Sequence, residues 1–163
     1  MSAHPPPDPA RFRQVLGHFP TGVTVITADG DDGPVGLAVG SFASVSLDPP
    51  LVAFFVGRGS SSWPRIEAAG SFCVNVLGAD QEEVCRRFAS KADDKFAGLG
   101  WKPAPSGAPL IDGVLAWIDC DVEQVAEAGD HHAVLGRVRE LEVGSDAAGP
   151  LLFYRGGYGR FAI

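Results

Sequence analysis

Four stretches of this sequence carry residue types that can bind and position a ligand. Between Val35 and Leu47 the chain reads VGLAVGSFASVSL, which sets Ser41, Ser44 and Ser46 among Gly36, Ala38 and Gly40. A backbone so thinly covered can bond a flat molecule through its N–H and C=O groups, with hydroxyls close by. The same composition also serves simply to curve a strand. Arg58-Gly59-Ser60-Ser61-Ser62-Trp63-Pro64 runs hydroxyls into a helix start, where free N–H groups and the dipole favour an anion such as phosphate. Arg58 and Arg65 can add charge there, and N-capping by one serine is the plainer use of the same loop. Gly129-Asp130-His131 places a histidine where a turn meets a strand. Such a histidine is either structural or, beside a cleft, able to orient a substrate or supply a proton. Tyr154 and Tyr158 flank Arg155-Gly156-Gly157 and can stack on a ring or pack an interface. Arg86, Arg87 and Lys95 are ambiguous in the same way, residues of this kind being more often solvated helix-face charges than phosphate ligands.

The sequence has no GxGxxG, GxxxxGK, GxSxG or HExxH, so the common nucleotide, hydrolase and zinc-protease signals lend no support. Cys73, Cys85 and Cys120 are odd in number, widely spaced and free of any CxxC pair, which predicts three buried thiols rather than a disulfide framework or a zinc site. His131 and His132 are adjacent, and adjacent side chains on a strand point to opposite faces, so no metal site is expected. Thirteen Lys and Arg against twenty Asp and Glu give a net charge of −7, which disfavours nucleic acid and anionic membrane as partners. The longest apolar runs, such as Leu51 to Val56, fall far short of the roughly 20 residues that span a bilayer. With no basic and then apolar leader at the start, a cytoplasmic protein is expected.

The elements that must hold these groups follow from pattern. The chain has 163 residues, which fits one domain over residues 8–163 behind a proline-rich flexible tail over residues 1–7. Asp8-Pro9 starts a helix, Pro9 to His18, with Phe12, Val15, Leu16 and Phe19 on one stripe. Val23 to Thr27 is a β-branched strand entering a turn at Asp29 to Gly33. Val35 to Leu47 is expected to be one long strand, bent or bulged near Gly40. Leu51 to Val56 and Ser71 to Leu77 are further strands, with a short helix between them ending at Gly70. Asp80 and Glu83 resemble a capping box opening a helix through Val84, Arg87 and Phe88. Lys91 to Gly107 is read as a long irregular loop. Leu115 to Val125, Ala133 to Val143 and Leu152 to Arg155 complete the strands. Short turns between them predict antiparallel pairing, a mainly β (α+β) fold closed into a barrel with a few helices over its ends.

FPTGVTVIT at Phe19 to Thr27, GLAVGSFASVSLDPPL at Gly36 to Leu51, FCVNVL at Phe72 to Leu77, DQEEVCRRFA at Asp80 to Ala89, GDHHAVLGRV at Gly129 to Val138 and PLLFYRGGY at Pro150 to Tyr158 together resemble the flavin reductase family with an FMN-binding split barrel. The resemblance covers nearly the whole chain after the proline tail and keeps the family's motif order. It implies a homodimeric antiparallel split β-barrel with flavin near the dimer interface. It implies the small reductase of a two-component monooxygenase, which reduces FAD or FMN with NADH, NADPH being a second candidate, and releases it to a separate oxygenase. Hydride would pass from nicotinamide C4 to flavin N5, and the flavin would be held weakly enough to exchange.

Residue by residue, the resemblance assigns flavin binding to Ala38, Val39, Gly40, Ser41, Ser44, Val45 and Ser46 along the ring and ribityl chain. Ser60, Ser61, Ser62, Arg87, Phe88 and Lys95 match positions near the phosphate. It assigns His131 to the nicotinamide as the catalytic histidine, with Tyr154 and Tyr158 in the terminal aromatic segment. Relatives commonly carry Thr and Asn where this chain has Ala38 and Gly40, so main-chain bonds or Ser41 are expected to substitute for two polar side chains. The competing readings are a flavin-binding or electron-transfer protein that does not react with nicotinamide, and a non-catalytic interaction subunit in which Gly40 and the serine loop are architectural.

Overall fold

Asp8 opens the first helix as the sequence suggests: its carboxylate accepts the Arg11 N–H at 3.3 Å and Pro9 occupies the first turn of α1, Pro9–Leu16. The helix stops before His18 because the His18 and Phe19 amides bond back to Val15 and Leu16, three residues away, and tighten the last turn. The computed structural model describes residues 4–146 and 148–161. The first three residues of the expected tail and the last two of the expected domain lie outside the described residues.

After α1 come β1 (Thr21–Gly22), β2 (Thr24–Gly30), β3 (Gly33–Val39), β4 (Ala43–Ser46) and β5 (Leu51–Gly57). Helix α2 (Trp63–Ala69) ends at Gly70 in the left-handed conformation, φ 76°, as a glycine cap requires. Then follow β6 (Ser71–Val76), α3 (Glu82–Ala89), β7 (Trp101–Pro103), β8 (Pro109–Ile111), β9 (Ala116–Ala128), β10 (His131–Val143), β11 (Leu151–Tyr154) and β12 (Gly157–Arg160). A seven-stranded sheet runs β3-β2-β6-β9-β10-β5-β4 with every pair antiparallel, beside a three-stranded sheet β1-β11-β12 and the β7–β8 pair. The fold is mainly β and antiparallel with a few short helices, as expected, three of them among the described residues. No helix among the described residues is long and apolar enough to cross a membrane.

The expected single strand from Val35 to Leu47 is in fact two. β3 and β4 lie at opposite edges of the seven-stranded sheet, and Gly40 to Phe42 carries the chain between them. Ser41 makes that crossing possible. Its hydroxyl donates to the Phe55 carbonyl at 3.0 Å and accepts the Phe55 N–H at 2.9 Å, so one side chain replaces a rung of the ladder.

Three other readings are corrected. The capping box does not form: α3 begins at Glu82 behind Gln81, whose side-chain oxygen instead accepts the Gly78 N–H at 3.0 Å while its amide donates to the Asp112 carbonyl at 3.0 Å. The loop read at Lys91 to Gly107 contains β7 and is pinned to the sheet. Buried Asp119 accepts both the N–H and the hydroxyl of Ser106, at 2.8 and 2.6 Å, and buried Asn75 accepts the Ile111 N–H at 2.8 Å. β12 was not anticipated, because GYGR carries no strand signal. It forms because Arg155 and Gly156 both take positive φ, 51° and 78°, and turn the chain back so that Tyr154 pairs with Gly157.

The core has two parts. Phe54 meets Trp63 and Phe72 edge to face, at 5.9 and 5.2 Å, between the sheet and α2. Phe88, Leu77, Leu110 and Ile111 fill the second beneath α3 and β8. Cys73, Cys85 and Cys120 are buried and unpaired, as predicted. Burial, reinforced by the Asp119 carboxylate, pushes the Cys120 thiol up to about 12 and raises Cys73 further still.

Candidate functional site

The site is organised by one strand edge. Gly30 and Gly33 close the two-residue turn between β2 and β3, so Gly33, Val35, Leu37 and Val39 exchange hydrogen bonds with β2. Pro34, Gly36 and Ala38 turn the other way, and Pro34, lacking an N–H, fits such a position. Because β3 is the end strand, the outward amides of Gly36 and Ala38 have no neighbouring strand. The Gly36 carbonyl points out to accept the Lys95 ammonium at 3.4 Å. Gly36 must be glycine: a Cβ there would stand 2.8 Å from the Phe88 ring and 3.0 Å from the Ile26 carbonyl.

At the Gly36 end a cavity of about 330 Å³ is framed by Gly36, Ser61, Ser62, Arg65, Lys95 and Phe96, with Asp93 and Asp94 also on its lining. Among the described residues Lys95 donates only to carbonyls, those of Gly36 and Phe88, and its partial burial lowers its pKa. Ser60 accepts the Trp63 N–H at 3.2 Å, so one serine caps α2 while Ser62 makes no side-chain cap bond. The arginines are committed elsewhere. Arg58 pairs with Glu127, Arg65 with Asp32 at 2.7 Å, and Arg87 donates to the Ala97 carbonyl at 2.6 Å. Phe88 is 1% exposed and works as the packed floor under Gly36.

At the other end Ala38, Val39 and Gly40 share a small cavity of about 150 Å³ with Cys85, Phe153 and Tyr158. The Tyr158 hydroxyl and Cys85 Sγ lie 3.3 Å apart, and Arg86 stacks 4.7 Å over the tyrosine ring. That hydrogen bond, with burial, pushes Tyr158 up to about 12, while burial raises Cys85. Gly40 and Ser41 then open onto an apolar groove of about 810 Å³ walled by Phe19, Phe42, Phe55 and Phe153. From Gly36 to Ser41 the strand edge runs about 16 Å.

The structure therefore brings together Ala38, Val39, Gly40, Ser41, Ser61, Ser62, Lys95 and Tyr158 along β3 and its continuation. It sets Ser44, Val45 and Ser46 on β4 at the far edge, with Val45 in a bulge between the two serines. Tyr154 meets His18 edge-on at 6.3 Å rather than joining Tyr158. His131 begins β10 opposite Gly57, and its Nδ1 lies 2.7 Å from Asp130, whose carboxyl it holds below the usual range. The Arg58 N–H donates to the Asp130 carbonyl at 3.0 Å and ties this turn to the serine loop. Phe19, Phe55, Cys85 and Phe153 were missed as site residues, because apolar side chains carry no chemical signal until the fold gathers them.

Residues 16–162 match the family described as flavin reductase like domain. The chain is 61% identical to a flavin reductase of Pseudomonas putida, covering 95% of this chain and 91% of that protein. It is 55% identical to the Mycobacterium tuberculosis flavin-dependent monooxygenase, reductase subunit HsaB, covering 93% of this chain and 81% of the relative. A solved structure of the Streptomyces globisporus NADH:FAD oxidoreductase SgcE6, in complex with NAD and FAD fragments, matches at 42% identity with a TM-score of 0.89, over 95% of this chain and 93% of that one.

Proposed function

We propose, from the premise that this chain belongs to the flavin reductase like domain family, that it is an NAD(P)H:flavin oxidoreductase, NADH preferred, supplying reduced FAD or FMN to a separate oxygenase. The observation that carries the site is the free edge of β3. Outward amides on Gly36 and Ala38 run from a pocket holding Lys95, Ser61 and Ser62 to a groove walled by aromatic rings. That layout fits a molecule with a phosphate at one end, a polar chain in the middle and a flat ring system at the other. Bound there, flavin supplies the acceptor for a hydride from nicotinamide C4.

The chain's own groups do the positioning. Lys95, Ser61 and Ser62 hold the phosphate, Lys95 being free of any carboxylate partner among the described residues. The Ala38 amide bonds the polar edge of the ring, which replaces side-chain contacts that Ala38 and Gly40 cannot make. Val39 and Gly40 keep that surface flat. Tyr158, fixed by Cys85 and Arg86, closes one side, and Phe153 and Phe55 exclude water. Asp130 takes the Nδ1 side of His131 and leaves Nε2 to orient the nicotinamide amide. Ser44, Val45 and Ser46 act from β4 on the far side of the groove, and Arg87 and Phe88 support the phosphate pocket from α3.

The active form is a homodimer of split barrels. Closure is supported by the Gly40–Phe42 crossing, which joins the two edge strands of one sheet. Dimerisation is supported by α1, which buries no residue while Phe12, Val15 and Leu16 stand 52–58% exposed on it and Phe19, just past its end, is 75% exposed. An eight-residue helix with that face in water is not stable alone and needs a partner surface. One domain over residues 8–163, acting in the cytoplasm, agrees with three free buried thiols. Steady-state oxidation of NADH and NADPH, with FAD, FMN and riboflavin varied in turn, tests the reading. NADH oxidation should be faster with FMN or FAD than with riboflavin, which has no phosphate for Lys95. Absence of oxidation with every flavin would exclude it.

A further inference from the structure

A separate cavity of about 420 Å³ lies between α1 and the turn of the β11–β12 hairpin, with Arg13, Gln14, Gly17, His18, Arg155 and Gly156 among its lining residues. Among the described residues no carboxylate lines it. Among the described residues neither Arg13 nor Arg155 has a carboxylate partner, in a chain whose net charge is −7. Two arginines without a carboxylate partner line one space, the Arg155 guanidinium lying 6.0 Å from the Tyr154 ring centroid, and such a pair favours a phosphate ester there.

The backbone is arranged to keep Arg155 in place. It is the one non-glycine residue with positive φ among the described residues, 51°, at a turn position that asparagine and glycine adopt at lower cost. Its N–H donates to the Gly17 carbonyl at 2.9 Å. A Cβ on Gly17 would stand 3.0 Å from the Arg13 carbonyl and in ordinary contact, 3.8 Å, with the Arg155 Cα. The His18 Nδ1 donates to the Gln14 carbonyl at 2.8 Å, which leaves Nε2 as its free ring nitrogen. Gly17 and Arg155 also line the apolar groove, so the basic cavity and the groove share a wall.

We propose that this cavity is the phosphate subsite for the nicotinamide dinucleotide, with Arg155 and Arg13 taking its diphosphate while the nicotinamide enters the aromatic groove. This rests on the reductase reading above. The flavin's own phosphate then belongs to Lys95, Ser61 and Ser62 at the opposite end of β3, so separate sets of cations hold the two substrates.

Three variants test it. Arg155→Asn removes the guanidinium at a turn position that asparagine suits, Arg155→Lys keeps the charge, and Arg13→Gln removes the second cation from an exposed helix face. ADP-ribose, which has the diphosphate but no nicotinamide, is titrated calorimetrically into the flavin-free protein. KM is then measured for NADH and for N-benzyl-dihydronicotinamide, which carries no phosphate, each with FMN and with FAD. ADP-ribose should bind the parent protein and lose about tenfold in affinity in Arg155→Asn and in Arg13→Gln, with a smaller loss in Arg155→Lys. KM for NADH should rise by about the same factor while kcat, KM for FMN and KM for the benzyl compound stay within about twofold. ADP-ribose that fails to bind, or binds all variants alike, overturns the proposal. So does a rise in KM for FAD without one for NADH, which would give the cavity to the flavin's diphosphate. A parent protein that oxidises no NADH would end the reductase reading alone, because the calorimetric loss in Arg155→Asn would still support the subsite.

Discussion

Replacing Ser41 by alanine separates two roles that the sequence leaves merged. The serine sits in the stretch matched to flavin binding, yet its hydroxyl is already used twice, donating to the Phe55 carbonyl at 3.0 Å and accepting the Phe55 N–H at 2.9 Å. Ser41→Ala removes both bonds and strands two backbone groups of β5. Each such bond contributes about 0.5–1.5 kcal/mol net, and water reaches this exposed seam, so the loss should be about 1–2 kcal/mol. With a urea m-value of about 2 kcal/mol/M for a chain of this size, the midpoint should fall by about 0.5–1 M. Under conditions where the variant is folded, KM for FMN should stay within about twofold, because the ring meets the strand amides rather than this hydroxyl. Urea titration and steady-state kinetics on the same preparation decide it. An unchanged midpoint together with a tenfold rise in KM would refute the reasoning and make the hydroxyl a flavin ligand.

Lys95→Met should raise KM for FMN about tenfold and leave KM for riboflavin unchanged, since only FMN offers a phosphate. Because burial lowers the Lys95 pKa, KM of the parent for FMN should rise on the alkaline side earlier than an ordinary lysine would dictate. Gly36→Ala should cost about 1–3 kcal/mol in a denaturation curve, as the new methyl meets Phe88 and the Ile26 carbonyl. His131→Ala should raise KM for NADH several-fold without changing KM for flavin, and if NADH affinity and turnover both stay at parent values the histidine has no such role. The thiols give a pH dependence of definite sign. Cys73 and Cys120 stay protonated in the native protein far above 9.0, where the unfolded thiols ionise, so stability is full below that pH and declines above it. The decline should approach about 1.4 kcal/mol per pH unit for each thiol, and Cys120→Ala should flatten it in urea midpoints taken across the alkaline range.

Local signals were legible where a few neighbouring residues decide the outcome. Asp8-Pro9 marks the start of α1, Gly70 the end of α2, and the apolar runs at Leu51 and Ser71 the strands β5 and β6. What stayed hidden depends on distant partners. Alternation across Val35 to Leu47 looks the same whether the strand continues in one sheet position or crosses to the other edge, and the crossing is held by Phe55, 14 residues on. Gln81 answers to Asp112 and Gly78 rather than to a cap. In the site, Arg58 and Arg65 looked as available as Lys95. Only the fold shows Glu127 and Asp32 neutralising the first two and leaving the lysine to carbonyl groups. Likewise the fold alone sets Tyr158 beside Ala38 and Gly40 while sending Tyr154 to His18.

Anaerobic mixing of the protein with FMN or FAD and NADH, followed by flavin absorbance, tests most directly whether the edge of β3 brings a nicotinamide and a flavin together. Rapid bleaching that needs the protein, slows in Lys95→Met at low flavin and recovers at saturating flavin is the predicted result. A flavin that binds the protein and keeps its oxidised spectrum in excess NADH and NADPH would contradict it, leaving a binding protein in place of a reductase.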